Sequence, residues 1–234
     1  YSAHAAGTGT VEKNGVLVGG GTLTDVYGGA SVGGGAITKN YAILNGGTVT
    51  DVYGGFASGS VTATGNRTVV QGVVTLTGVP STNVTGTIYG AKATSGVTSG
   101  NQVFVRRGTA ANDVVGAETT TGKVSDNSVT ISGGAIGTAT TRCTITGAQT
   151  ADGLVTGNSV TLTGGILHAN VYAAKTTGNG TAQGNYISLG DDEHRDLTAT
   201  ATTDFSDANL YGADLHNATT SSGNNDLKVY AKNV

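Results

Sequence analysis

The densest group of side chains that could do chemistry is a run of six charged residues late in the chain, from Asp191 to Asp196. The run holds four carboxylates, one imidazole and one guanidinium, in the order Asp191, Asp192, Glu193, His194, Arg195 and Asp196. Paired carboxylates can cleave a glycosidic bond, and clustered carboxylates can bind a divalent cation. The neighbouring repeats contain mainly Thr, Gly and Asn, so we expect them to supply no further acidic side chains to form a catalytic site with this run. We therefore interpret it as a charged surface loop, and we keep a polysaccharide lyase or hydrolase as the alternative.

Other carboxylates recur at one point of a repeated pattern. Asp25 and Asp51 occupy equivalent positions in two similar segments, and Asp113 follows later. The equivalent positions further along hold Thr144, Asn170 and Asn209. The position therefore favours a small polar side chain, and we do not predict a calcium site there.

The remaining reactive side chains do not form a recognisable catalytic or metal-binding set. The four histidines lack the spacing of metal ligands, and they are His4, His168, His194 and His216. Cys143 is the only cysteine, which excludes an internal disulfide, and we expect it to be a small buried residue. Arg106 and Arg107 are predicted to be a solvated basic pair. We predict no catalytic residue, no metal and no other cofactor.

The composition narrows the class of protein. The chain has 234 residues with 40 glycines, only 12% charged residues and a net charge of −3. Without a basic stripe, nucleic-acid binding is not expected. No apolar run approaches the roughly 20 residues of a membrane span. Frequent Val, Ile, Thr and Tyr favour β-structure over the disorder that such glycine content can signal.

A repeat of about 26 residues organises the chain. "GTLTDVYGGA" (Gly21–Ala30) returns 26 residues later as "GTVTDVYGGF" (Gly47–Phe56). A second template is an Asn followed by side chains two and four places on, which are mostly apolar and share one face of a strand. Its eight starts are Asn14, Asn40, Asn66, Asn101, Asn127, Asn158, Asn185 and Asn225.

A tyrosine column follows from the same repeat. Its members are Tyr27, Tyr53, Tyr89, Tyr172 and Tyr211. Because a Val, Ile or Leu precedes each of them, alternation places the apolar residue inside and the Tyr outside. The column is either a binding surface for glycan or protein, or a packing ladder between repeats.

A unit this short cannot bury its apolar face alone, so neighbouring units must stack. We therefore predict an all-β fold: a right-handed parallel β-helix, or β-solenoid, of about seven coils of about 26 residues with insertions. The whole chain, residues 1–234, is expected to form one domain.

Both ends of the chain fall at similar points of the repeat. Tyr1 precedes Asn14 by 13 residues, as Tyr27 precedes Asn40. Neither end carries a polar capping segment, and uncapped repeats expose unpaired strand edges. We expect these edges either to stack head to tail in a filament or to continue into a longer protein. The candidate assembly residues are Tyr1, Val11, Leu227, Val229 and Val234.

"NGVLVGGGTLTDVYGGA" and "NYAILNGGTVTDVYGGF" resemble the Gly-rich repeats of bacterial surface proteins, especially the passenger regions of autotransporter adhesins. The resemblance implies a secreted protein at the cell surface that adheres or forms fibres, and it carries over no site residues. From it and the repeat we expect a non-enzymatic, extracellular, structural or adhesive protein. Expected partners are further copies of the chain, and a host protein or glycan. A glycan-binding tail-fibre module is a further alternative.

Overall fold

The computed structural model describes residues 1–72, 82–194, 196–197, 203–216 and 223–231. Within these ranges the protein is all-β and contains no helix. The early strands are β1 (His4–Ala5), β2 (Val11–Glu12), β3 (Gly15–Ser31), β4 (Ile37–Thr38), β5 (Tyr41–Thr64), β6 (Arg67–Val70) and β7 (Thr82–Val84). The middle strands are β8 (Ile88–Ser99), β9 (Gln102–Val105), β10 (Thr109–Ala110), β11 (Val114–Thr121), β12 (Val124–Ser125), β13 (Ser128–Ile136) and β14 (Cys143–Asp152). The last strands are β15 (Leu154–Thr156), β16 (Ser159–Thr176), β17 (Thr181–Gln183), β18 (Tyr186–Leu189), β19 (Thr203–Leu215) and β20 (Asp226–Val229).

The strands belong to one sheet, and each pairs in parallel with strands one repeat away. Val26 of β3 lies beside Val52 of β5, and Val52 lies beside Ile88 of β8. The sequence repeat therefore predicted the register between these strands.

The predicted fold class, a plain parallel β-helix of about seven coils, is wrong. The parallel strands close into an eight-strand barrel core with further strands outside it. A β-helix with coils of about 26 residues would consist of short strands separated by corners, whereas β3, β5 and β16 run for 17, 24 and 18 residues. Side-chain alternation shows which face of a strand is buried, but it does not fix how a sheet closes.

Glycines allow the long strands to bend without losing their partners. Gly21 and Gly47 have φ values of +90° and +92°, in the region that favours glycine. Thr22 pairs with Thr48 just after these bends, following a shift in register. The chain therefore turns while its backbone stays hydrogen-bonded to the next repeat.

The main core consists of apolar columns that run across the sheet. In one column Leu44, Val70, Val105 and Ile131 are fully buried, and Val18 precedes them. Cys143 lies in the same apolar cluster, as its neighbours in the sequence suggested. Burial of this kind contributes about 25 cal/mol per Å² of apolar surface.

Two residues named above lie outside the described part of the chain: Arg195 of the charged run and Val234 of the candidate assembly set. No helix in the described ranges has the length and apolar character needed to cross a bilayer.

Candidate functional site

A ladder of asparagine side chains runs through the repeats. The six interior members are fully buried, and each donates both its backbone N–H and an Nδ2–H to the Oδ1 of the next Asn. For Asn66 these bonds to Asn101 are both 2.9 Å. Asn66 also donates from Nδ2 to the backbone carbonyl of Ile37. Each interior Asn thereby satisfies backbone groups that would otherwise be buried without partners.

The ladder has a direction, and its two ends differ. Asn14 donates to Asn40 at one end, and its own Oδ1 accepts no hydrogen bond from the described residues. At the other end Asn225 accepts bonds from Asn185, at 3.2 Å from the backbone nitrogen and 2.8 Å from Nδ2. The backbone N–H of Asn225 finds no acceptor in the described part of the chain, and its Nδ2 contacts only the Ala182 carbonyl. One edge of the sheet thus offers an acceptor, and the opposite edge offers donors.

Apolar side chains lie open at the same two edges. Leu227 and Val229 are 50% and 58% exposed, although their columns are buried through the preceding repeats. At the opposite edge Tyr1 is 70% exposed, and Leu17 is also exposed. Val11 was also named as a candidate assembly residue, but unlike Tyr1, Leu227 and Val229 it is buried.

The predicted tyrosine column forms stacks at each end of the sheet. Tyr27 stacks on Tyr53 with ring centroids 4.8 Å apart, and Tyr53 stacks on Tyr89 at 4.9 Å. Tyr1 extends this stack at 4.5 Å from Tyr27, as its place in the repeat suggested. Tyr172 and Tyr211 form a second stack at 4.9 Å. Val115 and Thr146 occupy the column between Tyr89 and Tyr172, so the two stacks are separate.

Burial separates the interior tyrosines from those at the edges. Tyr53 and Tyr89 are each only 8% exposed, although they lie outside the main core, in a separate cluster with Val115. Phe56 packs edge-on against Tyr27 and Tyr53, and the Lys92 Nζ lies 4.7 Å from the Tyr89 ring centroid. Desolvation raises the pKa of the Tyr53 and Tyr89 hydroxyls above the usual range. The interior column therefore packs as a ladder, while Tyr1 and Tyr211 keep exposed rings.

The charged run from Asp191 forms a local turn. Asp191 Oδ1 accepts hydrogen bonds from the backbone N–H groups of Glu193 and His194, and it lies 2.8 Å from His194 Nδ1. Desolvation is the largest single effect and raises the pKa of Asp191, but the hydrogen bonds together outweigh it and lower that pKa. This geometry stabilises a turn and directs the Asp191 carboxylate at its own segment.

The repeated aspartates support neighbouring repeats. Asp51 Oδ1 accepts the Thr87 N–H at 2.6 Å, and Asp113 Oδ1 accepts the Thr144 N–H at 2.8 Å. Asp25 Oδ2 lies 3.3 Å from the Tyr27 hydroxyl. In the described residues, no group of three or more His, Cys, Asp or Glu side chains could hold a metal ion.

Sequence reasoning missed a cluster formed by residues far apart in the chain. His168 Nδ1 lies 2.8 Å from Asp207 Oδ2, and Arg142 forms an ion pair with the same carboxylate. The hydrogen bond from His168 lowers the pKa of Asp207 most, and the Arg142 charge adds to it. His168 and Asp207 are paired across β16 and β19, so the register of these strands is the signal that could have found them.

His4 and Cys143, the other candidate residues, make contacts that stabilise the fold. His4 packs edge-on against Tyr1, and the Cys143 thiol lies 3.3 Å from the Ala111 carbonyl. Desolvation raises the pKa of the Cys143 thiol, which opposes formation of the reactive thiolate.

No protein-family model matches this chain, and neither does any curated protein or solved structure. Any functional inference therefore rests on the geometry of the chain itself.

Proposed function

We propose that this is an extracellular structural or adhesive protein whose copies associate head to tail through the two open edges of the sheet. The partner at each edge is a second copy of the same chain. Contacts of this heterologous type do not close on themselves, so they generate filaments.

The direction of the asparagine ladder is the observation that carries the proposal. The donors of Asn225 in one copy are complementary to the Oδ1 of Asn14 in the next copy. Joining them would repeat the contact that Asn66 makes with Asn101 inside the chain. Each such hydrogen bond contributes about 0.5–1.5 kcal/mol.

Two further columns fit the same register. Placing Asn225 beside Asn14 puts Leu227 next to Val16 and Val229 next to Val18 of the neighbouring copy, since each lies two or four residues beyond its Asn. The exposed Tyr211 ring of one copy then continues the stack through Tyr1 of the next. Polar, apolar and aromatic columns would thus be completed together, which favours one register over a slipped one.

The extracellular location is supported by the resemblance of the repeats to Gly-rich bacterial surface proteins. The enzymatic alternative gains no support from its main candidate, since Asp191 is engaged by the backbone of its own turn.

Electron microscopy of the purified chain over a dilution series tests the proposal. We expect filaments above a critical concentration in the unmodified protein. Asn225→Asp keeps the oxygen that Asn185 contacts but removes the Nδ2 donor and adds a negative charge. We expect it to raise the critical concentration at least about tenfold, equivalent to about 1.4 kcal/mol.

Asn112→Asp is the matched control. It adds the same charge at an exposed position whose Oδ1 already accepts a local backbone N–H, a role that Asp retains. It should form filaments as the unmodified chain does. Single particles at every concentration, or equal assembly by Asn225→Asp, would reject head-to-tail association.

A further inference from the structure

A groove with a volume of about 430 Å³ lies over strands β5 and β6 and beside Arg106, the residue that follows β9. This volume is within the range of about 300–1,000 Å³ typical of small-ligand sites. Lys39, Arg67 and Arg106 bring three cations to it, and no Asp or Glu is among the described residues that line it. The arrangement concentrates positive charge in a chain whose net charge is −3.

In the described part of the chain, the three cations of the groove have no acidic partners. The described residues contain ion pairs for Lys13, Lys92, Arg142 and Lys175, but none for Lys39, Arg67 or Arg106. Like charges brought together without a counter-charge repel one another, so a bound anion would stabilise this arrangement.

An aromatic ring positions the two guanidinium groups. Arg67 Cζ lies 4.5 Å from the centroid of Phe104, and Arg106 Cζ lies 5.7 Å from the same centroid. Cation–π contacts of this kind restrict the side chains before any ligand binds. A planar guanidinium held in place can bind a carboxylate or sulfate through two parallel hydrogen bonds.

The rest of the lining suits a ligand that also has an apolar face. Ile43 and Val69 contribute aliphatic surface, and Tyr41 contributes an exposed aromatic ring at the margin. Gln71 adds an amide near Arg106, and it donates to Asn45 at 2.6 Å. A sugar ring combines C–H faces with hydroxyl groups, so it matches aromatic, aliphatic and amide surfaces together.

We propose that this groove binds an acidic oligosaccharide, with the carboxylate or sulfate of the sugar held by Arg67 and Arg106 and its ring placed against Tyr41. The inference rests on the adhesive part of the proposed function and gives it a ligand class. It does not depend on association of the chains, because Asn225 does not line the groove. A chain that binds but does not assemble, or assembles but does not bind, therefore separates the two proposals.

Titration calorimetry with defined oligomers tests the proposal. The probes are an oligogalacturonate, a sulfated oligosaccharide, a neutral malto-oligosaccharide of similar length, and a short poly-glutamate. Binding of the oligogalacturonate identifies a carboxylate as the anion, and binding of only the sulfated sugar identifies a sulfate. Either result supports the proposal. Absence of binding to both acidic sugars, or equal binding of the neutral sugar or poly-glutamate, overturns it.

Variants link the binding to this groove. Arg67→Gln with Arg106→Gln should weaken binding of the acidic sugar at least tenfold. Lys123→Gln with Lys175→Gln removes the same charge at positions outside the groove and should change affinity less than about threefold. Equal loss in both double variants would show non-specific attraction and contradict the site.

Tyr41→Ala tests the sugar-ring contact without changing the charge. We expect it to weaken binding of the acidic sugar at least fivefold while leaving the thermal unfolding temperature of the chain close to that of the unmodified protein. Asn225→Asp should bind the sugar with unchanged affinity. Full affinity in Tyr41→Ala would contradict the proposed ring contact.

Discussion

Buried polar side chains in this protein differ in whether they have partners. The interior Asn ladder is fully hydrogen-bonded, and Thr68 donates from its hydroxyl to the Tyr89 carbonyl at 2.6 Å. Thr98 and Thr146 are equally buried, but their hydroxyl oxygens have no hydrogen-bond partner among the described residues. A buried hydroxyl without a partner costs about 1–3 kcal/mol. The two kinds of threonine should therefore respond to the same substitution in opposite directions.

Replacement of threonine by valine tests this difference. Thr146→Val removes an unsatisfied hydroxyl from a fully buried site, so we expect stability to rise by about 1 kcal/mol. Thr68→Val removes a hydrogen bond and leaves the Tyr89 carbonyl short of a donor, so we expect a loss of about 1–2 kcal/mol. Urea unfolding measures both. Destabilisation of the same size in both variants would contradict the assignment of partners.

At the scale of the strand, glycines set how closely neighbouring repeats approach. A Cβ atom placed on Gly54 would lie 2.5 Å from the Gly90 carbonyl oxygen and 2.8 Å from the Arg67 backbone. A Cβ atom on Gly19 would meet nothing within 4 Å. Glycines at different points of the repeat therefore have different roles: Gly54 permits close approach of neighbouring backbones, whereas Gly19 does not need to. The sequence alone does not distinguish them.

Gly54→Ala and Gly19→Ala form a matched pair. The new methyl group at position 54 must displace backbone atoms, so we expect a loss of about 2–4 kcal/mol in the free energy of unfolding. Gly19→Ala should change that free energy by less than about 0.5 kcal/mol. Thermal or urea unfolding distinguishes them, and similar stability of the two variants would argue against close approach at Gly54.

Local pattern predicted some of these elements and not others. The spacing of Asn40 and Asn66 predicted the ladder, and the period of two placed Val52 in the core. Closure of the sheet was not predicted, because it depends on bends at residues such as Gly47 that alternation does not describe. The burial of Tyr53 was also missed, since it depends on packing by Phe56 from outside the column.

The candidate sites also could not be predicted from local sequence, because they join residues that are far apart in the chain. The run at Asp191 is conspicuous in the sequence, yet it forms a turn of its own. The groove was not predicted: Arg106 is exposed, as expected, but only pairing of β6 with β9 brings it near Arg67. Side chains from different repeats meet through register, which a single sequence shows only where the repeat is regular.

At the scale of the whole molecule, the columns give the sheet two unlike edges. Donors at Asn225 and exposed apolar side chains at Leu227 and Val229 lie at one edge. The other edge has an acceptor at Asn14, the exposed ring of Tyr1 and the exposed aliphatic side chain of Leu17. Because each column repeats one contact, the edges of separate copies should complement each other in one register.

Disulfide trapping between copies tests this register most directly. If Asn225 lies beside Asn14 of the next copy, Lys228 lies beside Leu17 of that copy, since each is three residues beyond its Asn. Neighbouring parallel strands are about 4.8 Å apart, which falls in the range of about 4.4–6.8 Å between the Cα atoms of a disulfide. Both positions are exposed, and the native Cys143 is buried.

The measurement is the yield of cross-linked pairs after mild oxidation of mixed single variants. Head-to-tail association predicts that Leu17→Cys and Lys228→Cys form a disulfide-linked heterodimer, and that Leu17→Cys with Lys123→Cys does so far less. Cross-linking no greater in the first mixture than in the second would contradict the proposed pairing of the two edges.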